Sequence, residues 1–208
     1  SIGEIPPLVK WTEDKNLGAT LIQVVTWDRK GLFYKLSGAI TLSDLTIVST
    51  RAISRKDHIS IDSFYVVDAK TKGFASNISK QKFQDRINNV FLKEEKLSIE
   101  IDALEAKSEI ISEKIKGVLS PFSPSVDVYH ELSLNRTIIE VEAADKVGLL
   151  YKIAKTISEK NFDITFAKVS TEKGIAIDTF YIEHADLESD APQKGLLELK
   201  DDIKKIID

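Results

Sequence analysis

Hydrophobic and polar residues follow two kinds of periodicity along the chain, and together they predict strands and helices in a repeated order. Residues 20–27 alternate with a period of two, which predicts a strand. Apolar residues three and four apart predict a helix over 31–43. Strands rich in Ile, Val, Thr and Phe follow over 45–54 and 59–67, and a polar, helix-prone stretch runs over 79–116. The same order returns at 136–143, 148–160, 162–171, 175–183 and 193–207.

The two runs of elements share residues as well as pattern. Positions between Thr20 and Ile47 recur 117 positions later, and positions between Ile61 and Ala69 recur 116 positions later. One residue has therefore been gained or lost in the turn between two strands, where length changes cost least. A repeat this long predicts two copies of one domain, here called copy one and copy two, within the 208 residues.

The order strand–helix–strand–strand–helix, with room for a last strand, predicts a ferredoxin-like βαββαβ unit in each copy. Such α+β units have an antiparallel four-stranded sheet with both helices on one face. Copy two ends after its second helix, so 126–133 is the one remaining strand for two sheets. We take residues 1–19 as a leader or linker, 20–133 as copy one with a long helical insertion, and 134–208 as copy two. Because each copy is small, we expect the two to pack side by side.

The sheet face opposite the helices differs between the copies. In copy two it carries Glu140 and Glu142, which suit a solvated face. In copy one the corresponding positions are Leu21, Gln23 and Val25, with Trp27 beyond them. A sheet face that exposes Leu, Val and Trp favours a covering partner. We expect it to be covered by the leader or by a second copy of the chain, so a homodimer is a possible assembly.

Composition changes the picture mainly by what it excludes. Hydrophobic residues make up 42% and charged residues 30%, as in ordinary globular proteins. The net charge of −4 gives no reason to expect nucleic acid or a membrane as partner, and we find neither a membrane span nor a signal peptide. The absence of cysteine fits a cytoplasmic protein. Since methionine is absent even at position 1, we expect a fragment whose neighbour holds the catalytic chemistry.

The strongest chemical signal is an Asp-x-x-Gly-Leu turn between the first strand and the first helix of each copy. Glycine lets the backbone turn tightly and lets a ligand approach closely. The helix N-terminus that follows offers N–H groups and partial positive charge, which suit a carboxylate. The alternative is a turn whose aspartate caps the helix and binds nothing. The candidate ligand-binding residues are Asp28, Lys30, Gly31, Leu32, Asp145, Val147, Gly148 and Leu149.

A second motif, Ile-Asp-x-Phe-Tyr, stands at 61–65 and 177–181. Asp62 and Asp178 share a sheet face with the phenylalanines, and the tyrosines point the other way. Aspartate is disfavoured in a strand. We therefore interpret both carboxyl groups as structural acceptors of hydrogen bonds from a neighbouring loop rather than as ligand contacts.

No pattern of catalytic or metal-binding residues accompanies these turns. The three histidines, His58, His130 and His184, have no partner at metal-ligand spacing. Glycine-rich phosphate loops and the nucleophile-elbow motif are missing. We therefore expect no catalytic residue, no metal and no cofactor in this chain.

The turn followed by the Ile-Asp-x-Phe-Tyr strand resembles the ACT domain, a ferredoxin-like module that senses small molecules. Residues 136–182 resemble the last ACT domain of bacterial PII-protein uridylyltransferases, and residues 18–40 resemble the ACT domain before it. The chain departs from that family in two respects. The family often has proline before the glycine of the turn, where this chain has Lys30 and Val147, and the helical stretch between the copies is longer than usual.

The resemblance implies the regulatory tail of a nucleotidyltransferase that acts in nitrogen regulation, without catalytic activity of its own and with the parent protein's catalytic domains as partners. It implies an amino acid, glutamine, as ligand, held where the turn of one copy meets a strand of the other. Two alternatives stay open. One is a docking module that binds no ligand. The other is RNA binding in the manner of an RRM, because aromatic pairs stand on a middle strand, although the acidic balance of charges counts against it.

Overall fold

A computed structural model describes residues 6–54, 58–88, 94–113, 122–131, 133, 136–184 and 192–208. Within these residues the chain forms eight strands and five helices. In chain order they are β1 (Leu8–Asp14), β2 (Ala19–Trp27), α1 (Leu32–Thr41), β3 (Leu45–Ser54), β4 (Ile59–Asp68), α2 (Asn77–Ile87), α3 (Glu94–Glu113), β5 (Ser125–Glu131), β6 (Arg136–Ala144), α4 (Leu149–Glu159), β7 (Phe162–Glu172), β8 (Ile175–His184) and α5 (Pro192–Ile207).

The strands form two antiparallel sheets, ordered β1-β2-β4-β3 and β5-β6-β8-β7. Each sheet has the strand order of a ferredoxin-like unit, so the predicted α+β class and the tandem arrangement are confirmed. The connectivity differs in one respect, because the edge strand of each unit precedes its first repeated strand instead of following its second helix. Each copy therefore runs ββαββα.

Part of the segment that we took as a leader forms the edge strand of copy one. Strand β1 pairs antiparallel with β2, with Trp11 opposite Ile22. The Trp11 ring packs edge-to-face on Phe83 of α2, with ring centroids 5.6 Å apart. The segment thus adds to the core from the plane of the sheet. Its described residues, from 6 onwards, do not cover the outer face, where Leu21 and Trp27 remain half-buried.

Strand β5 belongs to copy two, which corrects the expectation that one strand serves two possible edges. It pairs with β6 throughout its length, from Ser125 opposite Glu142 to Glu131 opposite Arg136. The predicted boundary between residues 133 and 134 therefore separates β5 from its own sheet. Copy two therefore has a fourth strand of its own.

The two copies nevertheless pack side by side, as expected, and share one hydrophobic interior. The edge strands β3 and β7 lie next to each other, and the Arg51 guanidinium lies 5.7 Å from the ring centroid of Phe166. Helices α1 and α4 also pack together, with the Tyr34 and Tyr151 rings 5.7 Å apart in an edge-to-face arrangement. The strand after the first helix of each copy is thereby brought close to the other copy.

The stretch predicted as one long helix contains two helices with different partners. Helix α2 begins after Ser76, whose side chain accepts a hydrogen bond from the Ser79 N–H, and it packs on the first sheet through Phe83. Helix α3 packs against α1 and buries Leu97 and Ile101. The predicted helix end at the prolines near residue 121 lies outside the described residues.

Candidate functional site

The two Asp-x-x-Gly-Leu turns have nearly the same backbone. Gly31 and Gly148 precede α1 and α4 with φ of 77° and 80°, a left-handed conformation that favours glycine. The backbone N–H of Asp28 donates to the carbonyl of His58 at 2.7 Å, and that of Asp145 donates to the carbonyl of Gly174 at 2.9 Å. Each turn is thus anchored to the hairpin that follows the helix.

No side chain caps either helix at these turns, contrary to the alternative of a capping aspartate. Gly31 and Gly148 are themselves the N-cap residues of α1 and α4, and neither helix has a side-chain cap hydrogen bond. The first turn of each helix therefore keeps the partial positive charge of its N-terminus without a carboxylate cap.

The turn of copy one opens into a cleft of about 280 Å³ between the two copies. Copy one contributes its whole turn and the start of α1, together with Ser60 and Asp62 of β4. Copy two contributes residues of α4 and the first residues of β7. The cleft is lined by Asp28, Arg29, Lys30, Gly31, Leu32, Phe33, Tyr34, Ser60, Asp62, Ala154, Ser158, Phe162, Asp163 and Ile164.

Charges of both signs face each other across the cleft. The Lys30 ammonium of copy one donates to Asn161 Oδ1 of copy two at 3.3 Å. Asp163 follows two residues later at the start of β7. Partial burial raises the pKa of the Asp163 carboxyl group, and the nearby carboxylate of Asp28 adds to this effect while Lys30 opposes it. A zwitterionic ligand would therefore meet partners of both signs within one cleft.

Beneath the turn lies a fully buried carboxyl group. Asp62 accepts a hydrogen bond of 2.6 Å from the Ser60 hydroxyl. Burial raises the Asp62 pKa to about 7, the Ser60 hydrogen bond works against this, and the negative charge of Asp28 adds to it. The hydrogen bond comes from the same strand, and the neighbouring loop that the sequence suggested is not its source.

The corresponding carboxyl group of copy two is less well satisfied. Burial raises the Asp178 pKa to about 7, Asp145 adds to the effect, and a hydrogen bond from the Ser170 backbone opposes it. Within the described residues, Asp178 Oδ1 has no hydrogen-bond partner. The reason is visible in the repeat, because the position of Ser60 is occupied by Ala176 in copy two.

The turn of copy two faces a different neighbour. A Cβ atom on Gly148 would lie 2.8 Å from the Ile101 side chain of α3, whereas one on Gly31 would meet the ring of its own helix's Tyr34 at 2.5 Å. Gly148 is buried and Gly31 is half-buried. Helix α3 is held to α4 by ion pairs from Lys152 to Asp102 and Glu105.

All four candidate residues of copy one line the cleft, and the four of copy two lie at the other turn. Sequence reasoning missed Ser60 and the copy-two residues of the cleft, including Ser158 and Asp163. Their side chains stand out in no motif. The sequence does contain one sign of Ser60 and Asp163, because each stands at a position where the two copies have different residues. That the eight residues bind ligand stays a prediction.

Among the described residues, no group of three or more His, Cys, Asp or Glu side chains has an arrangement that could hold a metal ion. Within the same part of the chain, no helix is long and apolar enough to cross a membrane.

The fold and the turns define a class of protein, a tandem of ACT domains. A model of the ACT domain matches residues 137–207, which span copy two from β6 to the end of α5. Copy one has the same strand order and the same turn, with the glycine in the same conformation.

Over most of its length the chain is similar to bacterial bifunctional uridylyltransferase/uridylyl-removing enzymes. It is 30% identical to the enzyme of Novosphingobium aromaticivorans over 203 residues, 90% of this chain and 21% of that protein. It is 28% identical to the enzyme of Gluconobacter oxydans over 169 residues, 79% and 17% of the two chains. It is also 28% identical to the enzyme of Azospirillum brasilense over 181 residues, 86% and 19%.

The chain spans about a fifth of the length of these relatives. The similarity therefore concerns about a fifth of each relative, and within this chain it includes the residues that match the ACT domain. A crystal structure of an unknown protein from Galdieria sulphuraria aligns over 91% of both chains at 12% identity, with a TM-score of 0.27. That score is too low to support an argument about the fold.

Proposed function

We propose that this chain is an amino-acid-sensing regulatory module of a uridylyltransferase-like enzyme, and that its ligand is glutamine. The observation that carries the proposal is the cleft between the copies, because it combines a helix N-terminus of one copy with a carboxyl group on the facing strand of the other. An α-amino acid carries a carboxylate and an ammonium group a short distance apart, and such a cleft offers a partner to each.

The start of α1 is the part of the cleft that suits the ligand's carboxylate. The turn at Gly31 has no side-chain cap, and Lys30 adds a full positive charge beside it. A helix N-terminus stabilises an anion by about 0.3–1 kcal/mol when exposed and up to about 2 kcal/mol when partly buried. This interaction alone supports weak binding, so a sensor in the micromolar to millimolar range is expected.

The size of the cleft supports a small ligand. Its volume of about 280 Å³ lies just below the roughly 300–1,000 Å³ that is usual for sites of drug-sized molecules. Phe33 and Ile164 supply apolar walls, and Ser60 and Ser158 supply hydroxyl groups. An amino acid with a short polar side chain matches this mixture better than a nucleotide does.

The relatives support the regulatory part of the proposal. They are bifunctional uridylyltransferase/uridylyl-removing enzymes, and the shared fifth of their length is the ACT region. We therefore place this module in nitrogen regulation, where it would report glutamine to catalytic domains of a parent protein and would not itself catalyse a reaction.

Titration of the ¹⁵N-labelled chain with L-glutamine tests the proposal, with L-glutamate and D-glutamine as comparison ligands. We expect saturable shifts of the amide signals of the copy-one turn. Lys30→Ala should weaken binding only several-fold, because Lys30 is exposed and an exposed charge contributes little to an ion pair. Lys10→Ala, at an exposed position on β1, is the matched control and should bind as the wild type does. If the wild type binds none of these ligands, the docking module without a ligand becomes the better interpretation.

A further inference from the structure

The pseudo-symmetry of the repeat allows the two turns to be compared residue by residue. In β7, Asp163 pairs with Glu183, and in β3, Thr46 pairs with Val67. These pairs occupy the same register in the two sheets. Thr46 of copy one is therefore the counterpart of Asp163.

Three polar groups of the cleft have no equivalents at the corresponding positions of the other copy. One positive charge, one hydroxyl group and one carboxylate are replaced there by two apolar side chains and a neutral hydroxyl group. The pairs of counterparts are Lys30 and Val147, Ser60 and Ala176, and Asp163 and Thr46.

Two structural differences between the copies accompany these replacements. Ser60 satisfies Asp62 with a hydrogen bond of 2.6 Å, whereas within the described residues Asp178 Oδ1 has no partner. Gly148 is buried against Ile101 of α3, which is itself fully buried. Gly148 is therefore a packing position in the interior, while Gly31 borders an open cleft.

We propose that each chain binds one amino acid, in the copy-one cleft alone, and that Asp163 of copy two recognises the ligand's ammonium group. The inference rests on the proposed function and makes it more specific. Lys30 and the start of α1 face the ligand's carboxylate from one wall. Asp163 lies on the opposite wall, close enough to Asp28 and Lys30 for their charges to alter its ionisation. The cleft thus distinguishes free amino acids from acids that lack the cationic group.

The test is a titration of the full chain with L-glutamine, followed through the backbone amide signals of Gly31 and Gly148. N-acetyl-L-glutamine is the second probe, because acetylation removes the ammonium charge and keeps the carboxylate and the side chain. Two variants of Asp163 are compared, Asp163→Asn and Asp163→Thr, the latter introducing the residue that copy one has at this position. Thr46→Val is the matched control at the corresponding position of copy one. The amide spectrum of each variant also reports whether it folds.

In the wild type we expect the Gly31 amide to shift and saturate and the Gly148 amide to stay in place. Both Asp163 variants should weaken L-glutamine binding about ten-fold or more, as loss of a hydrogen bond to a charged group usually does, and Thr46→Val should not. N-acetyl-L-glutamine should bind at least ten-fold more weakly to the wild type.

The outcomes that overturn the inference differ from those that overturn the proposed function. Saturable shifts at both glycines, or unchanged affinity in folded Asp163→Asn, refute the single site or the ammonium contact while amino-acid sensing stands. Absence of any response of the wild type to L-glutamine at about 10 mM, a concentration that detects millimolar affinity, refutes both.

Discussion

The two buried carboxyl groups make the stability of this protein depend on pH in a direction opposite to that of a salt-bridged aspartate. Asp178 has a pKa of about 3.8 in an unfolded chain and about 7 in the folded protein. A carboxyl group whose folded-state pKa is raised stabilises the fold below the unfolded pKa, and this contribution is lost as the pH rises through the folded pKa. The affected window therefore runs from about pH 4 to about pH 7.

The size of the effect follows from the two pKa values. Each pKa unit between the folded and unfolded states corresponds to about 1.4 kcal/mol. Full ionisation of Asp178 therefore disfavours the folded state by about 4 kcal/mol. Between pH 5 and pH 8 the group should lower the free energy of unfolding by about 2–3 kcal/mol. That is a large share of the 5–15 kcal/mol that is usual for a domain.

Asp178→Asn isolates this contribution, because its side chain does not titrate. Urea unfolding followed by circular dichroism would give the free energy of unfolding at pH 5, 6, 7 and 8. We expect the variant to gain about 2–3 kcal/mol relative to wild type between pH 5 and pH 8, whatever its offset at pH 5. Asp68→Asn is the control, since hydrogen bonds from Thr71 and Lys70 lower the pKa of Asp68 and keep it ionised throughout. An identical difference between wild type and Asp178→Asn at pH 5 and pH 8 would show that the carboxyl group is not held neutral by burial.

Two further predictions concern the edge strands. Trp11→Ala should lower the free energy of unfolding, measured in urea, by about 2–3 kcal/mol. This is less than the roughly 3–5 kcal/mol expected for a fully buried aromatic side chain, because Trp11 is only half-buried against Phe83. Lys10→Ala, on the opposite face of β1, should change the free energy of unfolding by less than about 0.5 kcal/mol, and equal effects of the two substitutions would contradict the packing argument. A fragment of residues 122–208 should unfold cooperatively on heating, as followed by circular dichroism, because it keeps all four strands of its sheet. A fragment of residues 134–208 lacks β5 and should not unfold cooperatively. If both fragments unfold with equal cooperativity, β5 is dispensable.

Much of the fold could be predicted from the sequence because local periodicity and the repeat agree. The strands and first helices of both copies, the turns between them and the face assignment of Asp62 and Phe64 all follow from residues close together in the chain. Both phenylalanine and aspartate are buried, and Tyr65 on the other face is half-buried, as the period of two requires.

The edge strands could not be placed correctly for reasons of physics. Strand β1 is short and has only Val9 and Trp11 as inward apolar residues, so its alternation is weak. The choice of sheet for β5 depends on pairing with β6, and such long-range pairing leaves no local mark on the pattern. Edge strands also tolerate polar residues more readily than central strands do. The packing of α3 likewise left no local mark on the sequence pattern, because the burial of Ile101 depends on the neighbouring helices.

The candidate site shows why a motif can point to the right place without naming the residues that give specificity. Gly31 and Gly148 recur because both adopt positive φ values and because a Cβ atom would strike Tyr34 in one copy and Ile101 in the other. The fold requires these glycines whether or not a ligand binds. A residue needed by the fold persists in both copies of a duplication, whereas a residue needed by one ligand is required in one copy only. The specificity of this module should therefore be sought where the copies differ, at Asp163 and Ser60, and not in the turn that they share.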